Sequence, residues 1–280
     1  MENIIESFND SLPDFIELII IGAIFTLIER IKPAEKIKGI FKDDMRVELT
    51  TAIINMFIFI PLIVILSLYI VDIALKPLIP NQPFAEQIQS LPLAIQIILG
   101  AVILDFATYW RHRFTHFYMW SYHSMHHSAT QITWITGFRL HPIDLLAATL
   151  FTSFILYIFG FSGMGFIGAI FINKAMNYIT HMNCNLKFSK PLRYILASPH
   201  YHRWHHATKK EAYNTNFCGS FPFLDLLFGS YYHPEELPDK YGLSPIEQKT
   251  FPARSYFGWM LYPFKRNIKF LSKKLNKSKP

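Results

Sequence analysis

Nine of the twelve histidines in this 280-residue chain fall into a pattern, eight of them at spacings that let their imidazoles meet. His112 and His116 are four apart, and His123, His126 and His127 form His-x-x-His-His. His181 stands alone, and His202, His205 and His206 repeat the His-x-x-His-His pattern. Residues three and four apart on a helix share a face, so each group can aim two or three rings into one space. Neutral imidazole ligates iron, zinc, copper or nickel. Eight or nine such donors exceed what one tetrahedral or octahedral ion uses, so the pattern implies two ions. A lone histidine near a membrane surface is usually structural or solvated, and grouped sets are difficult to explain that way. The two cysteines, Cys184 and Cys218, fall in no metal or redox spacing and read as structural.

The elements that carry these rings are apolar. Hydrophobic residues make up 51% of the chain and charged ones 17%, against about 25% charged in a soluble domain. Several runs approach or exceed the roughly 18–20 apolar residues that cross a hydrocarbon core. Candidate spans run from Phe15 to Ile28 (short), from Thr51 to Leu75 despite Pro61 and Asp72, and from Leu91 through Ile103 towards Trp110. A fourth runs from Leu145 to Phe161. Gly160, Gly163 and Gly165 then mark a tight turn into a fifth that ends near His181. The segment between the first two spans holds Arg30, Lys32, Lys36, Lys38, Lys42 and Arg46, whereas Lys76 to Ser90 holds only Lys76. With the basic segment inside, every histidine group falls on the cytoplasmic side. The sequence thus predicts an all-α, polytopic membrane protein of four to five transmembrane helices with a cytoplasmic histidine-rich helical cap.

The net charge of +7 is concentrated at the C-terminus. Phe251 to Pro280 carries Arg254, Lys265, Arg266, Lys269, Lys273, Lys274, Lys277 and Lys279 and no acid. These cations alternate with Tyr256, Phe257, Trp259, Leu261, Phe264 and Ile268, so the stretch reads as an interfacial segment on anionic lipid rather than a nucleic-acid site. For the final ten residues a solvated tail is the alternative. The N-terminus is acidic and lacks the basic n-region of a cleaved signal peptide, so membrane entry is expected through the first hydrophobic helix.

Tyr109-Trp110-Arg111-His112-Arg113 with His116, then His123 to Ser128, resembles the fatty acid hydroxylase / sterol desaturase superfamily. Arg139-Leu-His141-Pro142-Ile-Asp144 resembles it too, as does Ser198 to His206. Asn216-Phe217 and the stretch from Asp225 to Tyr232, ending in Tyr241-Gly242, are similar to its closing segment. By that resemblance the nine grouped histidines ligate two iron ions in a non-haem diiron centre, with dioxygen as co-substrate. Members hydroxylate or desaturate fatty acyl chains, sterols or alkylglycerols. The resemblance implies a catalytic domain over 91–243, after an N-terminal transmembrane region, 1–90, and before the basic tail, 244–280. No cytochrome b5-type haem stretch is fused, so a separate ferredoxin or cytochrome b5-like donor with a reductase is expected.

Several positions stay open. Some relatives carry a further histidine where this chain has Asn177, which shares a helical face with His181. Asn177 holds a metal-bound water on one reading and bonds backbone on the other. His141 reads as support behind the ligands. His200 reads as a surface residue or as such support, and His233 as a surface residue. Two ferrous ions bring four positive charges that imidazoles do not offset, so carboxylates should orient the ligands. Asp105, Asp144 and Asp225 are the candidates, Asp105 foremost because an idle charge in an apolar setting is costly. Each could instead cap a helix or pair with Arg111, Arg113 or Arg139. A histidine-rich metal transporter and a zinc-dependent membrane hydrolase are the rival classes.

Overall fold

The computed structural model describes residues 20, 22–36, 45–161, 163–252 and 255–277. Residues 15–19 and 21 of the expected first span lie outside the described residues, as do Lys38, Lys42, Arg254 and Lys279. The described chain is helical, with no β-strand among those residues. Its main helices are α1 (22–31), α2 (Met45–Leu75), α3 (Leu93–Tyr118) and α4 (Trp120–His127). They are followed by α5 (Pro142–Phe159), α6 (Gly163–His181), α7 (Pro199–His205) and α8 (Tyr256–Lys277).

Three of them, α2, α3 and α5, are long and apolar enough to cross a membrane. Their large side chains point outward, as at Leu62, Ile65, Leu68, Ile98 and Phe154. Such surface is stable against lipid rather than water. The expected fifth span, α6, is not among the three, because Asn173, Lys174 and Asn177 interrupt its apolar run. It packs instead along α3 at close range. A Cβ on Gly100 of α3 would sit 2.8 Å from the Ala169 Cβ, and one on Gly168 of α6 would sit 2.6 Å from Ile97. Small residues thus let the two backbones approach, and Asn173 Nδ2 donates across the gap to Ala101 O at 3.1 Å.

The ends of α5 follow local rules. His141 is its N-cap, accepting the Ile143 N–H on Nδ1 at 3.1 Å, and Pro142 occupies the first turn. Gly160 closes it at φ +66°, where an added Cβ would also meet Ala85 Cα at 2.5 Å. Two buried arginines tie the membrane helices to the histidine-bearing region. Arg139 Nη1 pairs with Glu48 of α2 at 3.1 Å, Nε donates to Met125 O at 3.0 Å, and the guanidinium lies 3.9 Å from the centre of the Trp259 ring of α8. Arg203 of α7 bonds Glu35 at 2.7 Å, Asn183 Oδ1 at 2.9 Å and Ile132 O at 3.1 Å. Charges this deep are tolerated only when paired and hydrogen-bonded, and breaking such a pair costs about 3–5 kcal/mol.

Candidate metal centre

Four helices deliver the nine grouped histidines to one place. His112 and His116 sit one turn apart near the end of α3, whose axis breaks at Met119. The chain turns straight into α4, which carries His123, His126 and His127. His181 is the last residue of α6. In α7, Ser198 caps the start by accepting the Tyr201 N–H at 3.2 Å, and Pro199 fills the first turn. That start aims His202 and His205 inward, with His206 at the C-cap.

The rings divide into two adjoining groups. His112, His116, His123, His127 and His205 form one, and His126, His181, His202 and His206 form the other. Within each group the ligand atoms lie within 4.8 Å of one another. The groups abut where the His127 and His206 rings stack 4.6 Å apart. Nearly all nine rings are buried.

The outer nitrogens fix the tautomers. His112 Nδ1 faces Phe217 O at 2.8 Å and His205 Nδ1 faces Thr215 O at 2.7 Å. His123 Nδ1 faces Asp144 Oδ2 at 2.7 Å, and His116 Nδ1 faces Asn214 Oδ1 at 3.3 Å. An oxygen acceptor requires an N–H, so each of these four rings is protonated on Nδ1. Their Nε2 atoms then present lone pairs to the interior. His112 Nε2 and His123 Nε2 are 3.0 Å apart, while Nε2 of His116, His127 and His205 has no hydrogen-bond partner. In the second group, His181 Nδ1 donates to Asn177 O at 2.8 Å. Its Nε2 therefore turns a lone pair on His202 Nε2 at 3.0 Å and His126 Nε2 at 3.3 Å. Converging lone pairs repel unless a cation lies among them. A proton is a poor candidate, because burial, reinforced by neighbouring imidazoles, holds His126, His127, His202 and His206 well below the usual histidine range. Burial pushes His205 down to about 3. A set of converging imidazole nitrogens, five of them with an outer partner on Nδ1, fits divalent transition metals.

Of the three candidate carboxylates, Asp144 alone among the described residues touches a ring of the centre, bridging His123 to Arg111, whose Nη1 lies 3.1 Å from Oδ1. Asp105, favoured from the sequence, contacts no imidazole. Its oxygens accept the backbone N–H groups of Gly219, Ser220 and Phe221 at 3.0, 3.1 and 2.7 Å. Asp225 accepts the Phe217 and Cys218 N–H groups at 2.9 Å each, together with the Ser230 and Tyr201 hydroxyls. Both carboxylates shape the loop that presents the Phe217 carbonyl to His112. Asn177 meets His181 through its backbone carbonyl, while its amide lies against Gly137, where an added Cβ would come within 2.7 Å. His141 caps α5 and bonds Met260 O at 3.2 Å, and His200 bonds Pro234 O at 2.8 Å beside His233. Neither belongs to the two groups.

Sequence reasoning missed the backbone carbonyls of Thr215 and Phe217 and the side chain of Asn214. Asn214 and Asn216 both adopt positive φ, +59° and +57°, a conformation asparagine tolerates better than most residues. That pair was the one available sign of a sharply shaped loop. A cavity of about 210 Å³ lies against the first group, lined by His116, Trp120, His127, His205, Asn214 and Glu247 among others. It is smaller than the roughly 300–1,000 Å³ of ordinary small-molecule pockets. Trp120 stands in its wall, with its ring 5.3 Å from His116 and 5.2 Å from His127, and Nε1–H donating to Glu247 at 2.9 Å.

Residues 97–230 match the family model described as fatty acid hydroxylase. An ornithine lipid hydroxylase of Rhizobium tropici is 32% identical over 145 residues, 51% of this chain and 44% of its own length. Human alkylglycerol monooxygenase is 29% identical over 141 residues, 46% of this chain and 28% of its own. A very-long-chain aldehyde decarbonylase of Oryza sativa is 25% identical over 200 residues, 57% of this chain and 32% of its own. The chain thus spans less than half the length of each of these relatives. No solved structure matches.

The neutrality of the rings fixes the sign of a pH dependence. The ordinary histidine value is 6.5, so above it these imidazoles are neutral whether folded or unfolded. As pH falls below 6.5 these depressed imidazoles take up protons only in the unfolded chain, and their contribution to folding stability is lost down to the folded-state value, about 3 for His205. Each barred imidazole contributes up to about 1.4 kcal/mol per pH unit. The thermal midpoint of metal-free protein in detergent should therefore be level above pH 7 and drop steadily between pH 6.5 and 5. A level profile across that lower range would contradict the buried, neutral state of the rings.

Proposed function

We propose, from the match of residues 97–230 to the fatty acid hydroxylase family model, that the chain is a member of that superfamily and a membrane-bound diiron oxygenase that hydroxylates or desaturates a lipid. The observation that carries the proposal is the inward convergence of Nε2 lone pairs from rings whose Nδ1–H groups are already committed. The nine histidines would hold two iron ions, five donors on one side and four on the other. When bound, the iron pair supplies the activation of dioxygen needed to take hydrogen from an unactivated carbon.

The remaining tasks fall to the protein. Asp144 holds the His123 proton on Nδ1 and is itself steadied by Arg111. Burial of the rings keeps bulk water from the reacting centre. The 210 Å³ cavity suits dioxygen or water better than an acyl chain, so a lipid would approach from the side where α3 and α6 carry their histidines out of the apolar region. A lipid substrate accords with the relatives, whose names specify an ornithine lipid, an alkylglycerol and a very-long-chain aldehyde. Forming an alcohol and water from C–H and dioxygen consumes two electrons and two protons. We assign their supply to a separate ferredoxin or cytochrome b5-like donor with its reductase. The charge asymmetry of the connecting segments supports a multi-pass topology with the centre on the cytoplasmic side.

Two outcomes test this reading. Asp144→Asn should lower iron(II) affinity about 10–100-fold in anaerobic competition with a chromogenic chelator; unchanged affinity would remove Asp144 from the centre. Cells grown under heavy-isotope dioxygen with the intact chain should place label in one lipid class, or accumulate its unsaturated form, and cells with His126→Ala should do neither. Identical lipid profiles in the two strains would refute the oxygenase assignment.

A further inference from the structure

One face of α8 is largely exposed among the described residues. Phe257, Leu261, Phe264 and Ile268 recur every three or four residues, form a single stripe, and are 75%, 49%, 45% and 66% exposed. The opposite face is anchored, with Trp259 fully buried over Arg139 and Tyr262 packed on Phe251. The helix is therefore held in place while its apolar stripe points outward. Lys265 and Lys269 are exposed beside the stripe, and neither forms an ion pair among the described residues. With Tyr262 and Arg266 they border a shallow groove. Residues 251–280 contain no acid to balance these cations.

The position of α8 relative to the apolar helices says what should meet that stripe. Met260 O accepts a hydrogen bond from His141, the cap of α5, at 3.2 Å. The Phe264 ring lies 6.1 Å from His141 and 5.9 Å from Tyr122. The same helix touches the first turns of α2 over Met45–Ile54. It thus crosses the ends of two helices that are long enough to span, which in a bilayer are the places where hydrocarbon gives way to headgroups.

We infer that α8 is an interfacial helix that docks on anionic phospholipid, its Phe257–Leu261–Phe264–Ile268 stripe entering the acyl boundary while Lys265 and Lys269 engage lipid phosphates. The apolar depth and the flanking cations each match that occupant. A protein partner would need its own apolar strip at membrane depth. This docking does not depend on the iron or on turnover, so it stands or falls separately from the oxygenase reading.

The test uses the full chain with Ile268→Cys in a Cys184→Ser background, Cys218 being buried, labelled with a polarity-sensitive fluorophore. The protein is reconstituted in vesicles of phosphatidylcholine with phosphatidylglycerol. The label should be shielded from aqueous iodide and quenched by brominated lipid. At equal mole fraction, brominated phosphatidylglycerol should quench it with several-fold higher apparent affinity than brominated phosphatidylcholine, roughly fivefold per engaged cation. Lys265→Gln with Lys269→Gln, both at exposed positions, should bring that ratio close to one while the label stays shielded. Ready quenching by iodide would overturn the inference. So would equal quenching by the two lipids in the unsubstituted pair, or shielding from iodide and brominated lipid alike, the mark of a protein–protein contact.

Discussion

Lone pairs on buried neutral imidazoles cannot be pointed at one another without a cation between them, and the fold is arranged to point them so. Four rings of the first group spend their only N–H on an outer acceptor: a carboxylate, an asparagine oxygen or a backbone carbonyl. What remains inside is a set of imidazole nitrogens turned toward a common space. Held in this way, the rings give up little orientational freedom when a metal arrives. The outer acceptors are themselves positioned. Asp225 takes the Phe217 and Cys218 N–H groups while the Phe217 carbonyl serves His112. Asp105 clasps the next three amides of the same loop. Two buried carboxylates therefore act on the centre through the backbone.

The membrane helices supply the rigidity that such pointing requires. α3 and α6 each end in histidines, and their close contact at Gly100 and Gly168 sets the distance between those ends. The Arg139–Glu48 and Arg203–Glu35 pairs join α2 and the segment after α1 to the histidine region. Arg139, Glu48 and Arg203 are fully buried, so removing the partner of either arginine leaves an uncompensated buried charge, at a cost of about 3–5 kcal/mol for the Arg139–Glu48 pair. Relative sliding of the two parts is opposed by the same pairs, which protects ring geometry at a distance from the rings themselves.

The histidine groups were legible because a helix repeats every 3.6 residues, so three- and four-residue spacings report a shared face directly. His181 had no such spacing and was placed with the others by its position at the end of the fifth apolar run and by the family resemblance. The apolar runs and their flanking charges gave the membrane character of α2, α3 and α5. α6 is less apolar than these three, and of its polar residues Asn173 bonds Ala101 of α3 while the Asn177 amide lies against Gly137. Asp105 and Asp144 show where spacing fails. Asp105 shares a face with His112 but meets a loop that is more than a hundred residues away in sequence, whereas Asp144 reaches His123 from another helix. The carbonyls of Phe217, Thr215 and Asn177 leave no trace in residue type at all. Asn177 was weighed for its side chain, yet its contribution runs through the main chain.

The central proposal is that the nine grouped imidazoles hold a pair of iron ions. X-ray absorption at the iron edge, on full-length protein loaded anaerobically with iron(II) in membranes, tests it most directly. The account predicts saturation at two irons per chain, a first shell of nitrogen and oxygen dominated by imidazole scattering, and loss of that signature in His126→Ala. Saturation at one iron, or a shell dominated by sulfur or by carboxylate oxygen, would contradict it.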